Sequence, residues 1–166
     1  MPEANMPQGT PDFEVRPLGR DMVLAFLKHD DLRFLTDQDG DFLLIFEGDA
    51  KQEIPELNVW LTVASQPSPV YSIRASAPAP PGPSFDEWCH ITNAYCSKMR
   101  WPSVYVQKEK SGLRLHLEQH FNLDAGIHQE LLDSLTRSTF GSIWNFFIWW
   151  HEQKDDLKGE ASGGVR

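Results

Sequence analysis

The chain is poor in cysteine, in basic residues and in long apolar runs, and each shortage removes a class of protein. Cys89 and Cys96 are its two cysteines. If they share a helix, seven residues of spacing hold their α-carbons roughly 10 Å apart, too far for an intramolecular disulfide. Free thiols are therefore expected. The same spacing does not match the short cysteine pairs of closed zinc sites, which argues against a site built from Cys89, His90, Cys96 and His116 or His120. Lys and Arg total 15 against 24 Asp and Glu, a formal charge of −9 with a pI near 5.0. With no run of bases to offset that charge, direct nucleic-acid binding and docking on an anionic membrane are not expected. No stretch approaches the ~18 consecutive apolar residues of a membrane span. The opening MPEANMPQGTPDFE lacks the charged and apolar regions of a secretory signal. A cytoplasmic protein that needs no metal or cofactor is the expectation.

What the chain does have is aromatic mass. Forty per cent hydrophobic residues, with six Trp and ten Phe among 166 residues, are ample for the core of one domain. Residues 1–16 carry Pro2, Pro7 and Pro11 without an apolar period and are expected to form a flexible arm. Residues 153–166, with Gly159, Gly163 and Gly164, are expected to be a disordered tail, which leaves 17–152 as a single domain.

Within that domain Pro17 suits a first helical turn, and Leu18, Met22, Ala25 and Phe26 give the helical period up to about His29. Leu32–Leu35 and Phe42–Phe46 flank Asp39-Gly40 and predict a β-hairpin. Asp37, Asp39 and Asp41 in that turn invite a calcium reading. The glycine falls at the fourth loop position instead of the sixth, and Gly48 stands where the bidentate glutamate belongs, so turn chemistry is the better account. Leu57, Val59, Leu61 and Val63 alternate with Asn58, Trp60, Thr62 and Ala64 as a strand whose second face is partly polar, with Trp60 free to meet a neighbouring element. Val70–Ala75 is either a further strand or a continuation of that one. Residues 77–83, Ala77 to Pro83, read as an extended spacer; an SH3-type ligand is disfavoured because the proline run is short and has no basic flank.

The residues from Ser84 to Phe121 organise the chain. Ser84 is a candidate N-cap followed by Asp86 and Glu87, and Phe85, Trp88, Ile91, Tyr95 and Met99 recur at helical steps. Pro102 stops that helix and pushes Trp101 toward extended geometry, so Trp101 and Pro102 are expected to pin the turn, with Trp101 buried against the closing helix. In the following hairpin, Leu113, Leu115, Leu117 and Phe121 face a core while Arg114, His116, Glu118 and His120 face water. The His116 and His120 pair suits a ligand or proton-handling role, but a solvated strand face gives the same pattern and no nucleophile or third ligand accompanies it.

The closing helix, from about Ala125 to Glu152, turns almost wholly aromatic after Gly141: Ile143, Trp144, Phe146, Phe147, Ile148, Trp149 and Trp150 point to nearly every side. That surplus makes Trp144, Phe147, Ile148, Trp149 and Trp150 candidate protein-interaction residues and predicts a homodimer.

The stretch Trp88 to Trp150 resembles the YbjN-type bacterial domain, described as a sensory transduction regulator. The likeness rests on Asn93, the Arg100-Trp101-Pro102-x-x-Tyr105 turn, a strand ending near Leu123-Asp124-Ala125-Gly126, and the closing aromatic helix. Phe26-Leu27, the Asp39-Gly40 hairpin and the strands after it extend the likeness over roughly 17–152. The resemblance implies a fold similar to type III secretion chaperones: an α+β domain with an antiparallel sheet of five or six strands, three flanking helices and the order αβββαββα, often dimeric. It also implies a non-catalytic adaptor or chaperone-like regulator that binds a partner protein, and it offers no catalytic residues to carry over. The arm, the proline spacer and the Trp-rich end of the last helix depart from that pattern. The competing reading is a small-molecule sensor or enzyme with a pocket between sheet and last helix, His116 and His120 at its mouth.

Overall fold

The computed structural model describes residues 13–64 and 68–162. The elements run α1 (Arg20–His29), β1 (Leu35–Thr36), β2 (Phe42–Phe46), β3 (Leu57–Ala64), β4 (Val70–Pro78), α2 (Phe85–Lys98), β5 (Ser103–Glu109), β6 (Gly112–Asn122) and α3 (Gln129–Ser162). The six strands form one antiparallel sheet in the order β1-β2-β3-β4-β6-β5. This is the expected α+β class of three helices and an antiparallel sheet. Val70–Ala75 is a strand of its own, hydrogen-bonded between β3 and β6, and it brings the sheet to six.

Local chemistry fixes most boundaries. Asp37 Oδ1 accepts the N–H groups of Asp39 and Asp41, each at 2.9 Å, and Gly40 at φ 80° closes the turn back to the Asp37 carbonyl. The acidic triplet thus builds a turn. Ser84 and Glu87 form a full capping box at the start of α2: Ser84 Oγ accepts from Glu87 N, and Glu87 Oε2 accepts from Ser84 N at 2.7 Å.

Several expected boundaries move. The first helix begins at Arg20 because Pro17 and Leu18 are spent on an extended approach, in which Arg16 and Ile127 exchange backbone hydrogen bonds of 3.1 and 2.9 Å. Phe13 packs edge-on against His128, so residues 13–16 of the expected arm are tied down; its first twelve residues lie outside the described ones. Gly126, at φ 80°, permits that crossing, since a Cβ there would stand 2.6 Å from the Arg16 carbonyl oxygen. The hairpin strand expected from Leu32 shrinks to Leu35–Thr36, because Asp31 at φ 51° and the Leu32 N–H to Leu27 O bond terminate α1 there. The expected spacer loses Ala77 and Pro78 to β4, and Pro80 and Pro83 are buried. At the other end α3 continues through Ser162, and Lys154 binds Glu53 at 2.7 Å, so the tail expected from 153 is helical as far as it is described.

All three helices lie on one face of the sheet. α3 meets α1 through Phe26–Phe140 rings and a two-pronged Arg137–Asp30 bond. It meets α2 through Trp88–Trp150 (4.6 Å between rings), Tyr95–Phe146 and Tyr95–Trp149. Toward the sheet it presents Thr136, whose hydroxyl donates to the Leu132 carbonyl and so accepts the Tyr71 hydroxyl at 2.9 Å. A helix with neighbours on three sides needs three apolar stripes, and this explains the aromatic excess after Gly141.

Candidate functional site

Side chains of a strand alternate between faces, and here only one face is roofed. Leu57, Val59, Leu61, Tyr71, Ile73, Ala75, Leu115 and Leu117 point into the helical layer and are buried. The opposite face has no described element over it. Register aligns its side chains in rows: Leu43, Trp60, Arg74, Glu118 and Ser103 run across five strands, with Ile45, Asn58, Ser76, His116 and Tyr105 beside them.

The face divides into two halves. Toward β1, Leu35 is 61% exposed and Ile45 52%, and they border half-buried Leu43 and Trp60. Toward β5 the side chains are wired together. Ser72 Oγ lies 2.8 Å from His120 Nδ1, His120 Nε2 lies 3.3 Å from Glu118 Oε2, and the Tyr105 hydroxyl donates to Glu118 Oε1 at 2.7 Å. Tyr105 stacks on His116 with 5.1 Å between rings, and Arg114 donates to Ser76 Oγ at 3.0 Å. Partial burial works to raise the Glu118 carboxyl, but the bonds from Tyr105 and His120 and the charges of His120 and Arg74 outweigh it and leave the carboxyl lowered. Burial, then the neighbouring Glu118, push the Tyr105 phenol up to about 12. The string is thus a fixed array of an ionised carboxylate and a protonated phenol.

Ser72, His120 and Glu118 contain the residue types of an acyl-transfer triad. Both β4 and β6 are paired on each side, so their backbone N–H groups are committed to the ladder and cannot form an oxyanion hole. The arrangement can present hydrogen-bonding groups in a fixed pattern to something laid on the face.

The residues singled out in sequence fall elsewhere. Phe147 and Trp150 are 0% and 1% exposed inside the helical layer, which removes them as partner anchors; Trp144, Ile148 and Trp149 keep partial exposure. Trp101 is 49% exposed and packs edge-on against Phe121 of β6, not buried as expected. The turn is held by buried Pro102 after a cis bond, by Tyr95, whose hydroxyl donates to the Trp101 carbonyl at 3.2 Å, and by Cys96, whose Sγ accepts the Val104 N–H at 3.3 Å. His116 and His120 sit on the open face, on the far side of the sheet from α3, so they cannot stand at the mouth of a pocket beneath that helix. The gap there is small and wholly apolar, lined by Phe46, Leu57, Val59, Phe140, Ile143 and Trp144. Cys89 and Cys96 are exposed free thiols on α2. Among the described residues no group of three His, Cys, Asp or Glu side chains is placed to hold a metal ion, and no helix is long and apolar enough to cross a membrane.

The open face was only half legible in sequence. Trp60 on a partly polar strand face and the water-facing Arg114, His116, Glu118 and His120 were its local signals; the union of Ser72, Tyr105, Glu118 and His120 depends on pairing between strands up to 48 residues apart.

A two-layer α+β domain with one bare sheet face is the class these elements define. Neither a family model nor a curated protein sequence matches the chain. Among solved structures, YbjN from E. coli, described there as "a putative transcription regulator", superimposes with a TM-score of 0.64 at 10% identity, covering 85% of this chain and 96% of its own. The fold is therefore YbjN-like, and at that identity the likeness carries the fold alone.

Proposed function

We propose that the chain is a non-catalytic, protein-binding adaptor or regulator whose docking surface is the open face of the sheet. The observation that supports this is the joining, on one unroofed face, of exposed apolar side chains (Leu35, Ile45, with Trp60 beside them) to a prewired polar row. Exposed apolar patches rimmed by ordered polar groups are typical of contact sites. The partner's chemistry follows from charge. The protein carries −9 overall, yet this face sets Arg74, Arg114, His116 and His120 against Glu118 and Glu109. It is a near-neutral window on an acidic molecule, with Arg74 exposed next to Trp60 in register. A segment offering apolar side chains with a carboxylate for Arg74 is the complementary occupant.

A second copy of the chain is the competing occupant, in place of a homodimer built on α3. The test joins affinity capture to sedimentation, using Trp60→Ala, Arg74→Glu and, as control, Trp149→Ala. Loss of a salt-sensitive partner in the first two variants, with both still folded cooperatively and sedimentation unchanged, is expected. Capture that survives both, or a wild-type dimer that both disrupt, would sink the reading.

A further inference from the structure

A second feature, remote from the open face, carries its own chemistry. The β2–β3 loop, the exit of β4 and the distal part of α3 enclose a cleft of about 390 Å³ lined by Glu53, Ile54, Pro55, Pro80, Trp150 and Lys154, among others. That volume is in the range of small-molecule sites. Its walls are rigid: prolines fix their own φ, and the loop is closed by reciprocal Asp49–Ile54 backbone bonds of 2.9 Å. The loop holds Glu53 at φ 55°, a left-handed conformation costly for a glutamate and maintained here by its surroundings.

The polar groups of the cleft are unbalanced. Glu53 is the one carboxylate among the residues that line it, and both its oxygens accept from Lys154 at 2.7 Å. An ammonium has three donors, and Glu53 takes at most two. Trp150, which lines the cleft and is 1% exposed, has a buried indole N–H with no hydrogen-bond partner among the described residues. Lys154 and Trp150 thus bring N–H groups that no described side chain fully takes up to a cleft whose other side chains, Glu53 apart, are apolar.

We propose that this cleft binds a small organic carboxylate carried on a compact apolar group. The carboxylate takes the spare N–H of Lys154 while the apolar body lies among Ile54, Pro55, Ala79 and Pro80. Desolvated apolar walls with a few placed donors are the usual construction of such sites.

The test titrates ¹⁵N-labelled full-length protein with benzoate and phenylacetate, with benzamide and benzylamine as neutral and cationic counterparts. Both carboxylates should shift the Trp150 indole and the amides of Glu53, Ile54 and Glu56 saturably, with benzamide and benzylamine weaker by about tenfold or more. Lys154→Gln should weaken benzoate by a similar factor, and Ala79→Leu, which fills the cleft and leaves the ion pair in place, should do the same. Trp60→Ala, on the open face, should leave the titration unchanged, which separates this site from the docking surface. No saturable shift up to about 10 mM, equal binding of benzamide, an unaffected Lys154→Gln, or loss in Trp60→Ala would each overturn the assignment.

Discussion

One set of strands supplies both faces of this sheet, and the two faces have opposite fates. On the roofed face Leu57, Leu61, Tyr71, Ile73, Leu115 and Leu117 are at most 1% exposed and meet α1, α2 and α3. On the open face side chains from those same strands, Trp60, Ser72, Arg74, Glu118 and His120, satisfy one another or stand in water. Packing on the first face decides whether the chain folds. On the second, the proposed docking face, a fixed polar pattern stands beside exposed Leu35 and Ile45.

The sharpest way to break this contrast is to remove one large aromatic from each side. Trp88→Ala, in the helical layer against Trp150, should cost ~3–5 kcal/mol in urea unfolding, as expected for a buried aromatic replaced by a cavity. A loss below ~1 kcal/mol would show that the layer tolerates voids and would undo the comparison. Trp60→Ala should do the reverse: a half-buried indole should cost only ~1–2 kcal/mol of unfolding free energy, while partner affinity falls by ~2 kcal/mol, about 30-fold. Measuring both quantities on both variants gives a two-by-two test, and equal destabilisation by the two would remove the distinction between faces.

A smaller effect is expected at the turn. Full burial of a large apolar side chain contributes ~1.5–3 kcal/mol, so a half-exposed Trp101 should lose only ~1–1.5 kcal/mol on truncation to alanine. Tyr95→Phe, which leaves the Trp101 carbonyl without its donor, should cost ~1 kcal/mol. A Trp101→Ala protein that fails to fold would restore the indole as the pin of that turn.

The smallest effects are electrostatic. The bond from Arg137 holds the Asp30 carboxyl in the helical layer below its ordinary 3.8, and Glu118 on the open face is below its ordinary 4.5 because the bonds from Tyr105 and His120 outweigh burial. A carboxyl lowered by folding gives up its proton more readily in the folded chain than in the unfolded one. Its contribution is full above the ordinary value and is lost as pH falls through the lowered one. Melting temperature should therefore drop on acidification below about pH 4.5, less steeply in Arg137→Ala and in Glu118→Gln. Each variant should lose under ~1 kcal/mol at neutral pH, the range for exposed ion pairs. A pH profile unchanged by Glu118→Gln would show that the polar row is not ordered in solution.

Much of the fold is written locally. The capping box at Ser84, the Asp37 turn, the stop at Pro102 and the two-residue alternation of β3 and β6 each depend on residues a few positions apart, so the sequence by itself determined the helices, the hairpins and the α+β class. Ends of elements were decided by distant partners: Arg16 pairing with Ile127 set the approach to α1, and Glu53 gripping Lys154 accompanies the continuation of α3 past 152. Burial was likewise a tertiary matter. A helical period states which side chains share a stripe, but not how many stripes will find a neighbour. Lying between α1, α2 and the sheet, α3 finds three, so Phe147 and Trp150 became core. Trp101, large and apolar at a hinge, packed edge-on against Phe121 and stayed half in water. The open face came from the same cause, since alternation supplies two faces and only the placement of all three helices on one side left the other bare.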